Sequence, residues 1–264
     1  MGAKELKAAI LQEAISGRLV PQIASEGNAR DLLEEIRKEK LSHGLDFANA
    51  KSGKRKSKKE TALAGSNPCD ITEEELPFDI PESWCWCRLG EVFQHNTGKT
   101  QNSSVVTKNG TLRKFITTSN LYWNEFDFSK VKEMLFSDSE LDRCTVTKGD
   151  LLVCEGGDYG RSAIWKYDYD VCFQNHIHRL RPFKKETLCI EFYYYVLFIF
   201  KNKGFIQGKG VGIKSLSTET LHQVLIPLPP LAEQKRIVAA LEKFMPLFEQ
   251  YEQKEKELTK LLLR

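Results

Sequence analysis

Leu225-Ile226-Pro227-Leu228-Pro229-Pro230-Leu231 leads into the stretch whose reading decides the fold, Ala232 to Arg264. The paired prolines enforce an extended entry and preset φ for a first helical turn. Beyond them Ile237, Leu241, Phe244, Phe248, Tyr251, Glu255, Leu258 and Leu262 follow at steps of four and three. This is the a/d seam of a coiled coil, carried for nearly four heptads and interrupted only by Glu255. The flanks are charged and polar, as a partly solvated helix requires. Pro246 lacks the N–H that would reach back to Glu242, which predicts a bend. A helix of this length with one apolar stripe needs another helix over it. A partner chain is expected to supply it, the alternative being that the stripe docks on its own domain.

The remainder of the chain excludes several classes. Net charge is +3 over 264 residues, with 41% hydrophobic and 28% charged side chains, so the overall field selects no partner. The most apolar run, Phe192 to Phe200, falls far short of the ~20 residues of a membrane-spanning helix. Seven cysteines, with no apolar segment opening the chain, predict free thiols in a reducing cytoplasm. Cys85-Trp86-Cys87 has no second close cysteine pair. His176-x-His178, read on one strand face, has no acidic or cysteine neighbour in sequence. No metal and no cofactor is therefore expected.

In chain order, Ala3 to Ser16 and Asn28 to Lys40 read as short helices, the first stopped by Gly17 and barred from resuming by Pro21. Residues 42–75 read as a basic linker. Its cluster of Lys51, Lys54, Arg55, Lys56, Lys58 and Lys59 suits a solvated tether, or alternatively an accessory phosphate contact. Alternation from Trp84 to Leu89 predicts a strand whose two tryptophans anchor the core. Asn96-Thr97-Gly98-Lys99-Thr100 is no phosphate-binding loop, because Phe93 stands where the first glycine belongs. It reads as a surface loop, or a DNA-facing one with Lys99 on a phosphate. Short strands follow at Phe115–Thr118, Val131–Phe136, Leu151–Cys154, Ser162–Trp165 and Cys172–Leu180. Between them Gly156-Gly157-Asp158-Tyr159-Gly160 permits close backbone approach to a ligand, with Arg161 placed for a phosphate or a guanine edge. Gln174 and Asn175 suit an adenine edge, or the satisfaction of a turn. Thr187 to Lys203 is an apolar helix. The Gly204–Leu216 loop carries Lys209 and Lys214, and a helix at Thr218–His222 and a strand at Gln223–Leu228 return to the proline junction.

Four phrases stand in an order that resembles the specificity subunits of type I restriction-modification systems. They are Ile10 to Gln22, Leu76 to Val92, Gly149 through Arg161 with Gln174-Asn175-His176 and Arg179 to Pro182, and Leu228 to Val238. The resemblance implies an α+β protein with one mixed target-recognition domain of short strands and a buried helix. A short N-terminal helix and a long C-terminal coiled-coil helix complete it. The expected division is a helical segment at 1–41, the linker at 42–75, the recognition domain at 76–228 and the helix at 229–264. It implies a non-catalytic reader of one half-site in double-stranded DNA, docking the methyltransferase (M) and restriction (R) subunits in a bacterial or archaeal cytoplasm. It also implies self-association, since full-length members have two recognition halves and this chain has the look of one.

The candidate DNA contacts are Lys99, Thr100, Gly157, Tyr159, Arg161, Gln174, Asn175, His176, Lys209 and Lys214. The candidate interface is Ile237, Leu241, Phe244, Phe248, Tyr251, Leu258 and Leu262. Competing readings are an assembly scaffold that binds protein, an inactive truncated cassette, and a nuclease or methyltransferase in its own right. Against the last, Asn67-Pro68 is followed by Cys69, so the Asn-Pro-Pro-aromatic base-methylation motif is missing.

Overall fold

Leu11, Ala14 and Ile15 give the first helix, α1 (Ala3–Ile15), a buried stripe, and Gly17 at φ +73° turns the chain out of it. The computed structural model describes residues 2–42, 71–101, 110–184, 186–208 and 214–262; the lysine cluster at 51–59 lies outside them. α2 (Ala29–Ser42) follows. The central domain then runs through β1 (Cys85–Arg88), α3 (Leu89–Val92), β2 (Phe93–Thr97), β3 (Thr111–Ile116), β4 (Leu121–Tyr122), β5 (Glu125–Phe126) and β6 (Lys132–Phe136). It continues through α4 (Asp138–Cys144), β7 (Thr145–Val146), β8 (Leu151–Cys154), β9 (Ser162–Ile164), β10 (Val171–Phe173), β11 (Ile177–Pro182), α5 (Ile190–Lys203), α6 (Thr218–His222) and β12 (Leu225–Leu228). The chain ends in α7 (Leu231–Leu262), which is uninterrupted at Pro246. The class is α+β, as expected.

Two four-stranded sheets carry the domain. The first has the order β2-β11-β8-β9 and is antiparallel throughout. The second has the order β6-β3-β10-β7, with β3 and β10 parallel. Alternation along β8 and β9 divides the side chains between two cores. Leu151, Val153 and Ile164 face α5, while Leu152, Cys154 and Ala163 meet Ile116, Val146 and Phe173 of the second sheet. β1 pairs with β12 in a separate ribbon, Cys85 opposite Leu228, so the domain begins and ends at one place, beside the start of α7.

Two expectations are corrected. The stretch Cys172–Leu180 is not one strand: Gln174 to His176 turn between β10 and β11, which belong to different sheets. His176 is exposed in that turn and His178 is buried in β11, so the two rings do not share a strand face. The seam of α7 is the second correction. Ile237, Leu241 and Phe248 are buried within the chain itself.

The helix over them is α1. Ala3 N–H points to Glu255 Oε2 at 3.3 Å, while Arg236 pairs with Glu26 at 2.7 Å, so α1 runs antiparallel along α7. Glu255, the polar break in the heptads, thus accepts from the first turn of α1, where an anion is favoured. Leu11, Ala14 and Ile15 share one core with Trp84, Phe192, Ile237 and Leu241. The terminal segments and the recognition domain are therefore not separately cored. Only the later seam is open, with Tyr251 40%, Leu258 58% and Leu262 77% exposed.

Leu241→Ala should therefore cost about 2–5 kcal/mol in urea unfolding at any protein concentration, whereas Leu262→Ala should stay within about 0.5 kcal/mol. Equal effects would contradict this division of the seam.

Candidate nucleic-acid interface

The candidate loops meet because backbone bonds tie them to one end of the first sheet. Glu155, just past β8, donates its N–H to the His176 carbonyl at 2.9 Å and accepts from the Leu216 N–H at 2.7 Å. Asn175 N–H reaches the Lys99 carbonyl at 3.1 Å, and Gln174 N–H reaches Ile116 at 2.9 Å. The segments 98–100, 155–161, 174–176 and 214–216, far apart in sequence, thus form one cluster. Thr100, Gly157, His176 and Lys214 are exposed in it, and Tyr159, Gln174 and Asn175 half-buried. Gly157 takes φ +71° and a Cβ there would meet nothing within 4 Å, so its backbone is open to a ligand. The Tyr159 ring lies beside Gly208 and under the Lys201 ammonium, 3.4 Å from its centroid. His176 Nδ1 lies 3.0 Å from Glu155 Oε2, an acidic neighbour that sequence spacing did not show.

Two of the expected cations are held within the fold. Lys99 Nζ donates to the Leu135 carbonyl at 2.8 Å and pairs with Glu140 at 2.7 Å. Burial pushes the Glu140 carboxyl up, but the bonds from Lys99 and Ser137 outweigh it and hold the group below its ordinary value. Gly98 serves packing: a Cβ there would stand 2.0 Å from the Phe173 carbonyl oxygen, so only glycine allows the Lys99–Gln174 bridge. Arg161 donates from Nη2 to the Thr118 carbonyl at 2.7 Å and lies over the Tyr122 ring, bracing the neighbouring turn. Lys209 lies outside the described residues.

The sequence reading missed a chain of three histidines beneath the cluster. The Leu216 carbonyl can only accept, so His178 Nε2–H donates to it at 2.7 Å. His178 Nδ1 then accepts from His95 Nε2–H at 2.8 Å, and His95 Nδ1 accepts from His222 Nε2–H at 2.7 Å. One tautomer of each neutral ring satisfies the whole chain and ties β2, β11, α6 and the Leu216 loop together. Because His95 faces its two neighbours through different nitrogens, the three rings are no common ligand set.

A model of the family described as "Type I restriction modification DNA specificity domain" matches residues 81–260. The chain belongs to that family and carries one such domain. It is 26% identical over 256 residues to the type I restriction enzyme EcoAI specificity subunit of Escherichia coli, covering 91% of this chain and 39% of that protein. It is 27% identical over 257 residues to the EcoEI specificity subunit of the same organism, covering 93% of this chain and 41% of that one. The chain thus spans about two fifths of these relatives' length. The solved HsdS subunit from Thermoanaerobacter tengcongensis shares the fold at a TM-score of 0.50 and 20% identity, over 98% of this chain and 53% of that one. A chain from a structure of type I R-M complex assembly and conformational transition gives 0.52 at 20% identity, covering 99% and 55%.

The histidine chain has a pH consequence. Burial, then His178 and His222, hold His95 down to about 2. Burial and Lys40 hold His222 at about 4, and burial lowers His178 despite its bond to Leu216. Unfolded, all three titrate near ~6.5, so below that pH the unfolded chain binds more protons than the fold. Stability present above about pH 6.5 should fall as the medium is acidified towards about pH 4, by up to about 1.4 kcal/mol per pH unit for each ring. Urea midpoints measured across that window check this, and His95→Gln should flatten the dependence. A flat profile in the parent would mean that the rings are not held neutral.

Proposed function

We propose that this chain is the non-catalytic sequence reader of a type I restriction-modification complex, taking one half-site of double-stranded DNA on its loop cluster. The methyltransferase subunits would dock along the α1–α7 pair, and the restriction subunit would join the assembly they form. The observation that carries this reading is the convergence of the 155–161, 174–176 and 214–216 segments within the family-matched region. Gly157 and Lys214 offer an open backbone and an exposed cation there, while Gln174 and Asn175 carry amides suited to a base edge. Self-association is assigned to the later part of α7, where Leu247, Tyr251, Leu258, Leu261 and Leu262 are exposed on a helix whose first half is already covered.

Co-expression with the cognate methyltransferase subunit, followed by mapping of methylated sites, tests the reading. Two copies paired through their terminal helices present the same reader in opposite directions, so the expected target is an interrupted palindrome. An asymmetric target, or none, would count against it. Leu258→Glu with Leu262→Glu should give monomers in sedimentation while leaving the fold intact; a parent that is itself monomeric at micromolar concentration would end the self-pairing idea. Lys214→Ala should weaken all duplexes alike and reduce the log–log salt slope by about one. A protein-binding scaffold would show no such slope.

A further inference from the structure

The first sheet is apolar on the face it turns towards the second along β8 and β9 and at Ile177, the first residue of β11. On β2 and β11 the same face carries Gln94, Asn96, Arg179 and Arg181, by the register that pairs Asn96 with Arg179 and Arg179 with Leu152. A cleft of about 650 Å³ opens beside them, walled also by Arg113 of β3 and by Asp142 and Arg143 of α4. Four arginines face two aspartates across it, the second being Asp170 at its rim.

Three of those arginines have no carboxylate partner. Arg179 is only 3% exposed, yet its guanidinium is held by neutral oxygens alone: the carbonyls of Asp142 and Thr145 and the side-chain oxygen of Asn96. Its Nε is buried with no hydrogen-bond partner. Burial, and then the neighbouring Arg181, lower its pKa to about 10. The exposed Arg143 donates only to the Thr97 and Gly98 carbonyls, at 3.0 and 3.4 Å, and the exposed side chain of Arg113 forms no hydrogen bond or ion pair among the described residues. Arg181 alone is neutralised, by Asp150 at 2.6 Å. Of the three only Arg179 is desolvated; Asp150 and Asp142 offset part of its charge from a distance without bonding it, and an anion in the cleft would complete that compensation.

We propose that this cleft is a phosphate site, with Arg113 and Arg143 at its mouth and Arg179 behind them, and that it takes a backbone phosphate of the duplex read by the loop cluster. Arg143 holds the carbonyl of Gly98, the residue before Lys99 and Thr100, so cleft and loops adjoin. The proposal rests on the DNA-reading function for the source of the phosphate, not for its chemistry.

The test avoids Arg179, whose bonds also tie α4 to β2. Arg113→Gln with Arg143→Gln is compared with the parent and with Lys235→Gln, an exposed lysine of α7. Each is titrated with a duplex at several salt concentrations and, separately, with adenosine monophosphate and inorganic pyrophosphate; thermal unfolding confirms the fold. The expected result is a salt slope shallower by about one per lost phosphate contact in the double variant only, on every duplex sequence alike. An unchanged slope with duplex binding intact overturns the proposal. Should the parent bind no duplex but take the small phosphates in an arginine-dependent way, the cleft stands as a phosphate site and the DNA-reading function falls. Binding of neither overturns both.

Discussion

The first turn of α7 holds the molecule together through two buried polar side chains. Glu233 accepts from Trp84 Nε1–H at 2.9 Å and from the Gln22 amide. Gln234 accepts from the Cys189 N–H at 2.9 Å and donates to the Pro229 carbonyl at 2.9 Å. Three separate parts of the chain therefore end on one helical turn: the segment after α1, the opening of the recognition domain and the entry to α5. Burial raises the Glu233 pKa, and the bonds from Trp84 and Gln22 oppose that shift. Removal of a partner would leave a buried polar atom unpaired, the costly direction for such a bond. The Glu233-Gln234 pair, seen in the sequence as part of a familiar phrase, thus has a structural reason to be there.

From that turn outward, the arrangement follows from the polarity of one strand pair. β2 and β11 carry polar side chains towards both faces of their sheet: Gln94, Asn96, Arg179 and Arg181 on one, His95 and His178 on the other. On the histidine side the third ring, His222, and the Leu216 carbonyl complete a closed chain of donors and acceptors, so the face can be buried without orphans. On the arginine side carbonyls and the Asn96 amide hold Arg179, Asp150 is the one carboxylate that bonds an arginine of the face, and a cleft opens beside it. The same strands thus seal the domain on one face and leave charge available on the other.

Much of this was legible in the sequence, and the misses have definite causes. Helix ends at Gly17 and at Thr218–His222, and the strand at Leu151–Cys154, came from turn residues and periodicity acting locally. The break at Gln174–His176 was hidden because no glycine or proline marks it; what meets the chain there is the distant Lys99 backbone, in an isolated bridge that only the fold brings alongside. The heptads of α7 stated that a helix must cover them but not whose, since α1 and a partner chain present the same kind of surface. Gly98-Lys99 was read as a phosphate contact, while its glycine admits a neighbouring backbone and its lysine meets Glu140. Charge in a loop does not disclose that its counter-ion is forty residues away. The arginine cleft was overlooked for the opposite reason. Arg179 and Arg181 alternate with Leu180, and in a strand that alternation reads as an ordinary solvent face.

The division of α7 into a covered and an open part also bears on how the proposed reading of DNA would relate to the proposed assembly. Up to Phe248 one side of the helix is buried against the domain, in a core shared with α1, α5 and Trp84, so its direction is set by the same packing that sets the sheets. From Phe248 to Leu262 it continues for about 20 Å, at about 1.5 Å per residue, with Tyr251 and the leucines on its surface. Whatever seats on those leucines is therefore positioned relative to the loop cluster by packed helix and sheet rather than by a linker. For a second copy, the separation and orientation of the two loop clusters would follow from helix length and seam register alone, because the rest of the path between them is core.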